Sequence, residues 1–182
     1  MIAPSVCAVL RDLAVGGVPR VYVDLLRALR RQGHRVRIVA GPGALSPEAA
    51  AAGIELVEVD WGRPCQDTFE AVLNGADGFD ATVLTVDPLL AHTIPAARAA
   101  TPRTLLAVHS SAAGMRRWFA PDQLERLAVV ARAITAEGAG AMFTIGRRQA
   151  AEHAALFGAD RSAVGVLTPA INVIIMALSR SM

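Results

Sequence analysis

Few residues in this 182-residue chain have the chemistry to do more than pack. His109 closes an apolar run and is followed by Ser110, Ser111 and Gly114. At the rim of a sheet such a histidine can hydrogen-bond a sugar hydroxyl or move a proton, since its ring titrates near neutral pH. The alternative is a satisfied structural imidazole. Gly16 and Gly17 separate the first apolar run from a helical segment. Paired glycines let backbone approach a ligand closely, and the helix start beyond them offers unpaired N–H groups and positive potential. That suits a phosphate or diphosphate. A tight turn whose glycines only satisfy backbone angles is an equal reading, because the pattern is neither G-x-G-x-x-G nor a Walker A loop. Asp87-Pro88 puts an acid at a strand end, where capping a helix is the favoured role and contact with an acceptor the other. Arg116 and Arg117 adjoin Trp118 and Phe119. This basic-aromatic group either meets an anionic lipid or phosphate or opens an amphipathic helix.

The remaining candidates are read as structural. No pair of histidines is spaced for a metal on one helix face, so no metal site is expected. Cys7 and Cys65 form no C-x-x-C and are read as reduced, buried thiols. His34 is expected to cap helix carbonyls, and His92 and His153 to hold surface or packing positions inside helices.

The elements that position these residues alternate along the chain. Candidate strands are Val6–Leu10, Arg35–Ala40, Ile54–Val59, Ala81–Val86, Thr104–Val108, Ala141–Ile145 and Val164–Leu167. Helical periodicity is clearest over Arg20–Arg31, Leu89–Ala100, Asp122–Ala136 and Arg147–Phe157. Strands that are nearly all apolar, each followed by a helix, predict a single-domain α/β fold: a Rossmann-like, doubly wound parallel sheet. In the first helix Val21, Tyr22, Leu25, Leu26, Ala28 and Leu29 form one apolar face. Arg20 and Asp24 lie four apart on the other face. Arg27, Arg30 and Arg31 favour the negative end of the helix, and Gly33 supplies a left-handed stop. In open parallel sheets ligands collect beyond the carboxyl ends of the strands. The segments expected there are 14–18, Gly41-Pro42-Gly43, Asp87-Pro88 and 109–111.

Composition narrows the classes. The 18 basic and 16 acidic residues give a net charge of +2, and every basic residue is arginine. A balance so near neutral argues against nucleic acid as a partner. Hydrophobic residues make up 53% of the chain, enough for a real core, which excludes disorder and a disulfide scaffold. The N-terminus has no basic n-region, and the apolar run Val166–Leu178 is shorter than the roughly 20 residues of a membrane helix. The expectation is a cytoplasmic chain without a transmembrane segment, at most peripheral to the inner membrane face. Its layout is a domain over residues 1–170 and an apolar, helical tail over 171–182.

Taken together, Gly16-Gly17-Val18-Pro19-Arg20, Leu25-Leu26-Arg27-Ala28-Leu29 and Gly33-His34-Arg35-Val36 resemble the opening of the N-terminal domain of GT-B glycosyltransferases of family 4. Leu105–His109 resembles that family's strand ending in His, and Ala141–Arg148 its strand and helix before the domain crossover. The resemblance implies an acceptor-side domain working with a second domain that binds the nucleotide-sugar donor. It implies that Gly16 and Gly17 approach the donor diphosphate across the cleft, that His109 lies close to the transferred sugar as the catalytic residue, and that Arg20, Asp87, Arg116 and Arg117 are available to the acceptor or an anion. No resident cofactor is implied, the nucleotide-sugar being a co-substrate. Implied partners are a sugar, glycan or lipid-linked acceptor, and a donor-domain subunit or a second copy on the cleft face.

The departures are specific. Where the family reads Val-Ile-Pro-Asn-Gly-Val-Asp, this chain has Val166-Leu167-Thr168-Pro169-Ala170-Ile171-Asn172, and Gly146 stands where Ser is common. The donor-binding domain is absent from the 182 residues. Losing a donor to a developing negative charge costs about 3 kcal/mol or more of barrier lowering, so the isolated chain is expected to be nearly inactive. The other reading is a non-catalytic Rossmann-like module that binds phosphate or glycan or docks a partner. A nicotinamide oxidoreductase is disfavoured because Gly41-Pro42-Gly43 stands where an acid for the ribose belongs.

Overall fold

The computed structural model describes residues 4–136 and 140–166. The seven expected strands all form, as β1 (Val6–Asp12), β2 (Val36–Gly41), β3 (Glu55–Glu58), β4 (Ala81–Thr85), β5 (Thr104–Val108), β6 (Gly140–Thr144) and β7 (Val164–Val166). They make one parallel sheet in the order β3-β2-β1-β4-β5-β6-β7. The order reverses between β1 and β4, which is the switch point of a doubly wound, Rossmann-like α/β fold. The helices are α1 (Gly17–Arg31), α2 (Ser46–Ala51), α3 (Cys65–Ala76), α4 (Ile94–Ala100), α5 (Ala112–Trp118), α6 (Pro121–Ala136) and α7 (Arg147–Phe157). The tail expected over 171–182, and Leu167 at the end of the last expected strand, lie outside the described residues.

Alternation within the strands divides the core. Val6, Ala8 and Leu10 of β1 face α1 and α2 together with Val36, Ile38 and Ala40 of β2. Cys7, Val9 and Val39 point the other way, into the layer built by α3 to α7. Each fully buried Val, Leu or Ile contributes about 1.5–3 kcal/mol relative to exposure. On α1, Tyr22, Val23, Leu25, Leu26 and Leu29 are buried, while Val21, expected on that face, is 45% exposed. The helix ends where expected, with Gly33 at φ 90°.

Three of the seven helices of the described residues, α2, α3 and α5, lie outside the segments of clearest helical periodicity. α2 opens on Ser46-Pro47-Glu48, a helix-start signal, and runs for only six residues. α3 carries Phe69, Val72, Leu73 and Ala76 at helical spacing, yet holds Gly75 in its last turn. A Cβ there would lie 2.7 Å from Val39 Cγ2, so the glycine lets the helix sit close on the sheet. Cys7 is buried and free as expected, with burial pushing its thiol up to about 12. Cys65, expected buried, is exposed because it opens α3 at the surface.

Much of the arginine is used structurally. At the amino edge of the sheet Arg35 and Arg37 lie over the Phe79 ring, 4.3 and 4.7 Å from its centroid, and both pair with Glu55. His34 caps α1 as expected, its backbone N–H donating to the Leu29 carbonyl at 3.1 Å, while its Nδ1 lies 2.7 Å from the Pro4 carbonyl. Asp80 accepts from the Ser5 amide and hydroxyl, which hold its carboxyl below the usual range.

Candidate functional site

The segments expected at the carboxyl edge follow β1, β2, β4 and β5, four consecutive strands of the sheet. The topology therefore gathers Gly16-Gly17, Gly41-Pro42-Gly43, Asp87-Pro88 and His109 along one rim, on both sides of the switch point.

Gly16 stands at the N-cap of α1 in extended backbone (φ −176°), with no side-chain cap, and the first turn carries no acid. The early N–H groups of a helix have no intrahelical partner, and here nothing on the side chains replaces one. Neither glycine has positive φ among the described residues. A Cβ added at Gly17 would meet nothing within 4 Å, and one at Gly16 only Pro19 Cδ at 3.6 Å. Neither backbone angle nor packing requires glycine at these two positions.

The glycines after β2 differ. A Cβ at Gly43 would lie 2.2 Å from the Leu13 carbonyl carbon and 2.3 Å from the Ala14 nitrogen. At Gly41 it would lie 2.9 Å from the Arg11 carbonyl oxygen. Backbone hydrogen bonds close the same contact, Leu13 N to Gly41 O at 3.0 Å and Leu45 N to Leu13 O at 2.9 Å. The loop after β2 is thus stitched to the loop after β1.

His109 ends β5 half-buried, its ring edge-on to Tyr22 of α1 with centroids 5.7 Å apart. Its Nε2 is 3.4 Å from the Tyr22 hydroxyl. Burial pushes the His109 pKa below its ordinary value, so the ring is neutral at physiological pH, and burial likewise raises the Tyr22 phenol. Ser111 caps α5, its Oγ accepting from Gly114 N at 3.1 Å.

Asp87 serves as a turn residue, Oδ1 accepting from Leu89 N at 2.8 Å. Arg20 is committed to Glu48, with Nη1 at 2.6 and 2.7 Å from the two carboxylate oxygens. Arg27 bonds the same carboxylate, and the two guanidinium groups hold Glu48 below the usual carboxylate range. Arg116 and Arg117 are exposed in the last turn of α5, with Trp118 61% exposed beside them. No hydrogen bond or ring contact among the described residues joins them to His109. Three exposed apolar side chains, Val15, Leu89 and Ile145, lie in the loops after β1, β4 and β6 on the same rim.

His92 Nε2 lies 2.7 Å from Thr68 Oγ1, and the same hydroxyl lies 3.0 Å from the Cys65 carbonyl. His153 of α7 is fully buried, its ring stacked on Phe157, and its period on the helix marks it as core. Among the described residues no group of three or more His, Cys, Asp or Glu is placed to hold a metal.

No family model matches the chain, and no curated protein is similar to it. Solved structures are. A glycosyltransferase from Rickettsia africae is 13% identical, with 90% of this chain and 42% of that one aligned at a TM-score of 0.60. NmrA, a negative transcriptional regulator in complex with NADP, is 15% identical over 80% of this chain and 46% of that one, at 0.53. BdcA in complex with NADPH is 14% identical over 78% and 69%, at 0.50. The chain spans less than half the length of the first two. The likeness is one of fold, a Rossmann-like α/β domain. Among the described residues no helix is long and apolar enough to cross a membrane.

Proposed function

We propose that this chain is the acceptor-side domain of a GT-B glycosyltransferase, taking part in sugar transfer from a nucleotide-sugar only with a donor-binding domain or subunit. The observation that carries the reading is the Gly16-Gly17 pair. It stands exposed at the uncapped start of a 15-residue helix, free of any steric or dihedral need for glycine. Gly16 fills an N-cap, a position that suits glycine, but Gly17 opens the helix itself, where glycine costs up to roughly 1 kcal/mol relative to alanine, and close approach of a ligand accounts for it. The N–H groups there face the donor diphosphate, and no side chain competes for them. His109, neutral and held beside Tyr22, meets a hydroxyl of the transferred sugar two strands away in sheet order. Val15, Leu89 and Ile145 give the donor-binding partner an apolar rim to close on. The glycosyltransferase neighbour supports the same assignment, and its greater length leaves room for the second domain.

The NADP-bound and NADPH-bound neighbours favour a second reading, a dinucleotide-binding module. In NAD-binding proteins of this fold an acid ending β2 holds the adenosine ribose, whereas NADP takes a nearby arginine for its 2′-phosphate. Here Gly41-Pro42-Gly43 ends β2 and Gly43 lies directly on Leu13 and Ala14, which disfavours NAD held in this way.

A titration of the isotope-labelled chain separates the readings. UDP-glucose should move the amide resonances of residues 16–18, and NADPH should leave them in place. Submicromolar NADPH binding would overturn the transferase assignment. The isolated chain should transfer no sugar, and turnover by it alone would sink the two-part reading. With a donor domain supplied, His109→Ala should lower the rate by about 100-fold or more while leaving the melting temperature nearly unchanged.

A further inference from the structure

Tyr22 is the one tyrosine of the chain, and it stands where the buried face of α1 is otherwise aliphatic, among Val23, Leu25, Leu26 and Leu29. It is 4% exposed. A buried tyrosine hydroxyl normally finds a hydrogen-bond partner. Among the described residues its partner is Nε2 of His109, 3.4 Å away, and the two rings meet edge-on at 70°. The contact joins the first helix to the end of β5.

This hydrogen bond can run in two senses. Either the phenol donates to Nε2, or Nε2 carries the ring proton and donates to the phenol oxygen. In the second sense the phenol proton has no acceptor among the described residues, on a side chain that is almost wholly buried. A buried donor without an acceptor is costly, so the first sense is favoured. Burial keeps the phenol protonated and the imidazole neutral, so the phenol has a proton to give and the ring a lone pair to take it. The ring proton then sits on Nδ1. That nitrogen bonds nothing among the described residues and, unlike both nitrogens of His153, is not sealed from solvent.

We propose that Tyr22 is a positioning residue for His109: its hydroxyl donates to Nε2, fixes the imidazole as the Nδ1–H tautomer, and leaves that N–H as the donor a ligand meets. The ligand atom is therefore an acceptor, such as a hydroxyl oxygen of the transferred sugar. In this tautomer the ring has no free lone pair with which to remove a proton. The place of this N–H in sugar transfer rests on the proposed function, whereas the tautomer is a property of the chain by itself.

Long-range proton–nitrogen correlation spectra of the isotope-labelled chain, recorded above the pH midpoint of the ring, test the tautomer. His109→Gln identifies the His109 signals by their loss. Nδ1 should resonate as a protonated, pyrrole-type nitrogen and Nε2 as an unprotonated, pyridine-type one. A pyrrole-type Nε2, or an even mixture of tautomers, overturns the inference. Tyr22→Phe deletes the hydroxyl and keeps a ring against the imidazole. The share of the Nδ1–H form should then fall, and the pH midpoint of His109 should rise, because protonating Nε2 no longer strands a phenol proton. Unmoved nitrogen shifts and an unmoved midpoint in folded Tyr22→Phe overturn the inference and leave Tyr22 as packing alone. Where Tyr22→Phe does not fold, the parent spectra decide. With a donor domain present, Tyr22→Phe should lower kcat about 10-fold with KM nearly unchanged, since a reacting group misplaced by about 1 Å can cost roughly 100-fold. A parent chain that shows no transfer under those conditions counts against the proposed function, while the tautomer in the isolated chain still decides the role of Tyr22.

Discussion

Two pairs of glycines stand at adjacent strand ends and do opposite things. Gly41 and Gly43, after β2, are held against the backbone of residues 11–14 so closely that no side chain fits. Gly16 and Gly17, after β1, have open space where a Cβ would go and ordinary backbone angles. The first pair explains itself by packing. The second does not, and it is the one at the start of a long helix beside His109. A glycine whose neighbours demand it says nothing about ligands. A glycine free of such neighbours is open to substitution, and substitution can test what it is for.

The contrast can be broken or sharpened by substitution. Gly43→Ala should have the largest effect, about 3 kcal/mol or more of lost stability, because backbone on both sides of the contact must move. Chemical denaturation measures it, and a neutral result would mean the two loops are not stitched in solution. Gly41→Ala meets a single carbonyl oxygen at 2.9 Å and should cost less, about 1–3 kcal/mol.

Acidification should come next. His92, His109 and His153 all have pKa values lowered chiefly by burial from 6.5. The unfolded chain then binds more protons than the fold as pH drops through 6.5, so stability falls there, before the carboxylates titrate. A melting temperature flat from pH 7.5 to 5.5 would contradict this. At Gly17 the sign should reverse: Gly17→Ala should leave stability unchanged or raise it by up to about 1 kcal/mol while weakening UDP-glucose binding. A loss of stability there would remove the contrast between the pairs. Glu48→Gln should have the smallest effect on melting, since the Arg20 and Arg27 pairs are near the surface and solvent-screened, and it should free Arg20.

Legibility followed the same division. The seven strands were readable because covered parallel strands are continuous apolar runs, and the loops that follow four of them identified the rim. α3 was not readable, because Gly75 interrupts its pattern for the sake of contact with Val39, a residue of β2. Asp87 is expected from Pro88 to cap a helix, but α4 begins only at Ile94, and Asp87 instead holds a turn by accepting from Leu89 N. The partner of Arg20 could not be read from nearby residues: Asp24 lies four residues on, but the guanidinium went to Glu48 of α2, a helix the periodicity had not shown. Cys65 was placed in the core by its residue type and surfaced because α3 begins there.

What local chemistry dictates is therefore the α/β alternation, the strand ends, the stop at Gly33 and the turn at Asp87, since each depends on neighbours within a few positions. Which glycines are occupied by backbone and which stand open depends on loops that meet only after the sheet has formed. So does the burial that keeps His109 neutral and sets its ring against Tyr22, 87 residues away in the chain. Contacts of that kind are absent from any window of sequence, because they exist only once parallel strands have brought separate segments to the same edge.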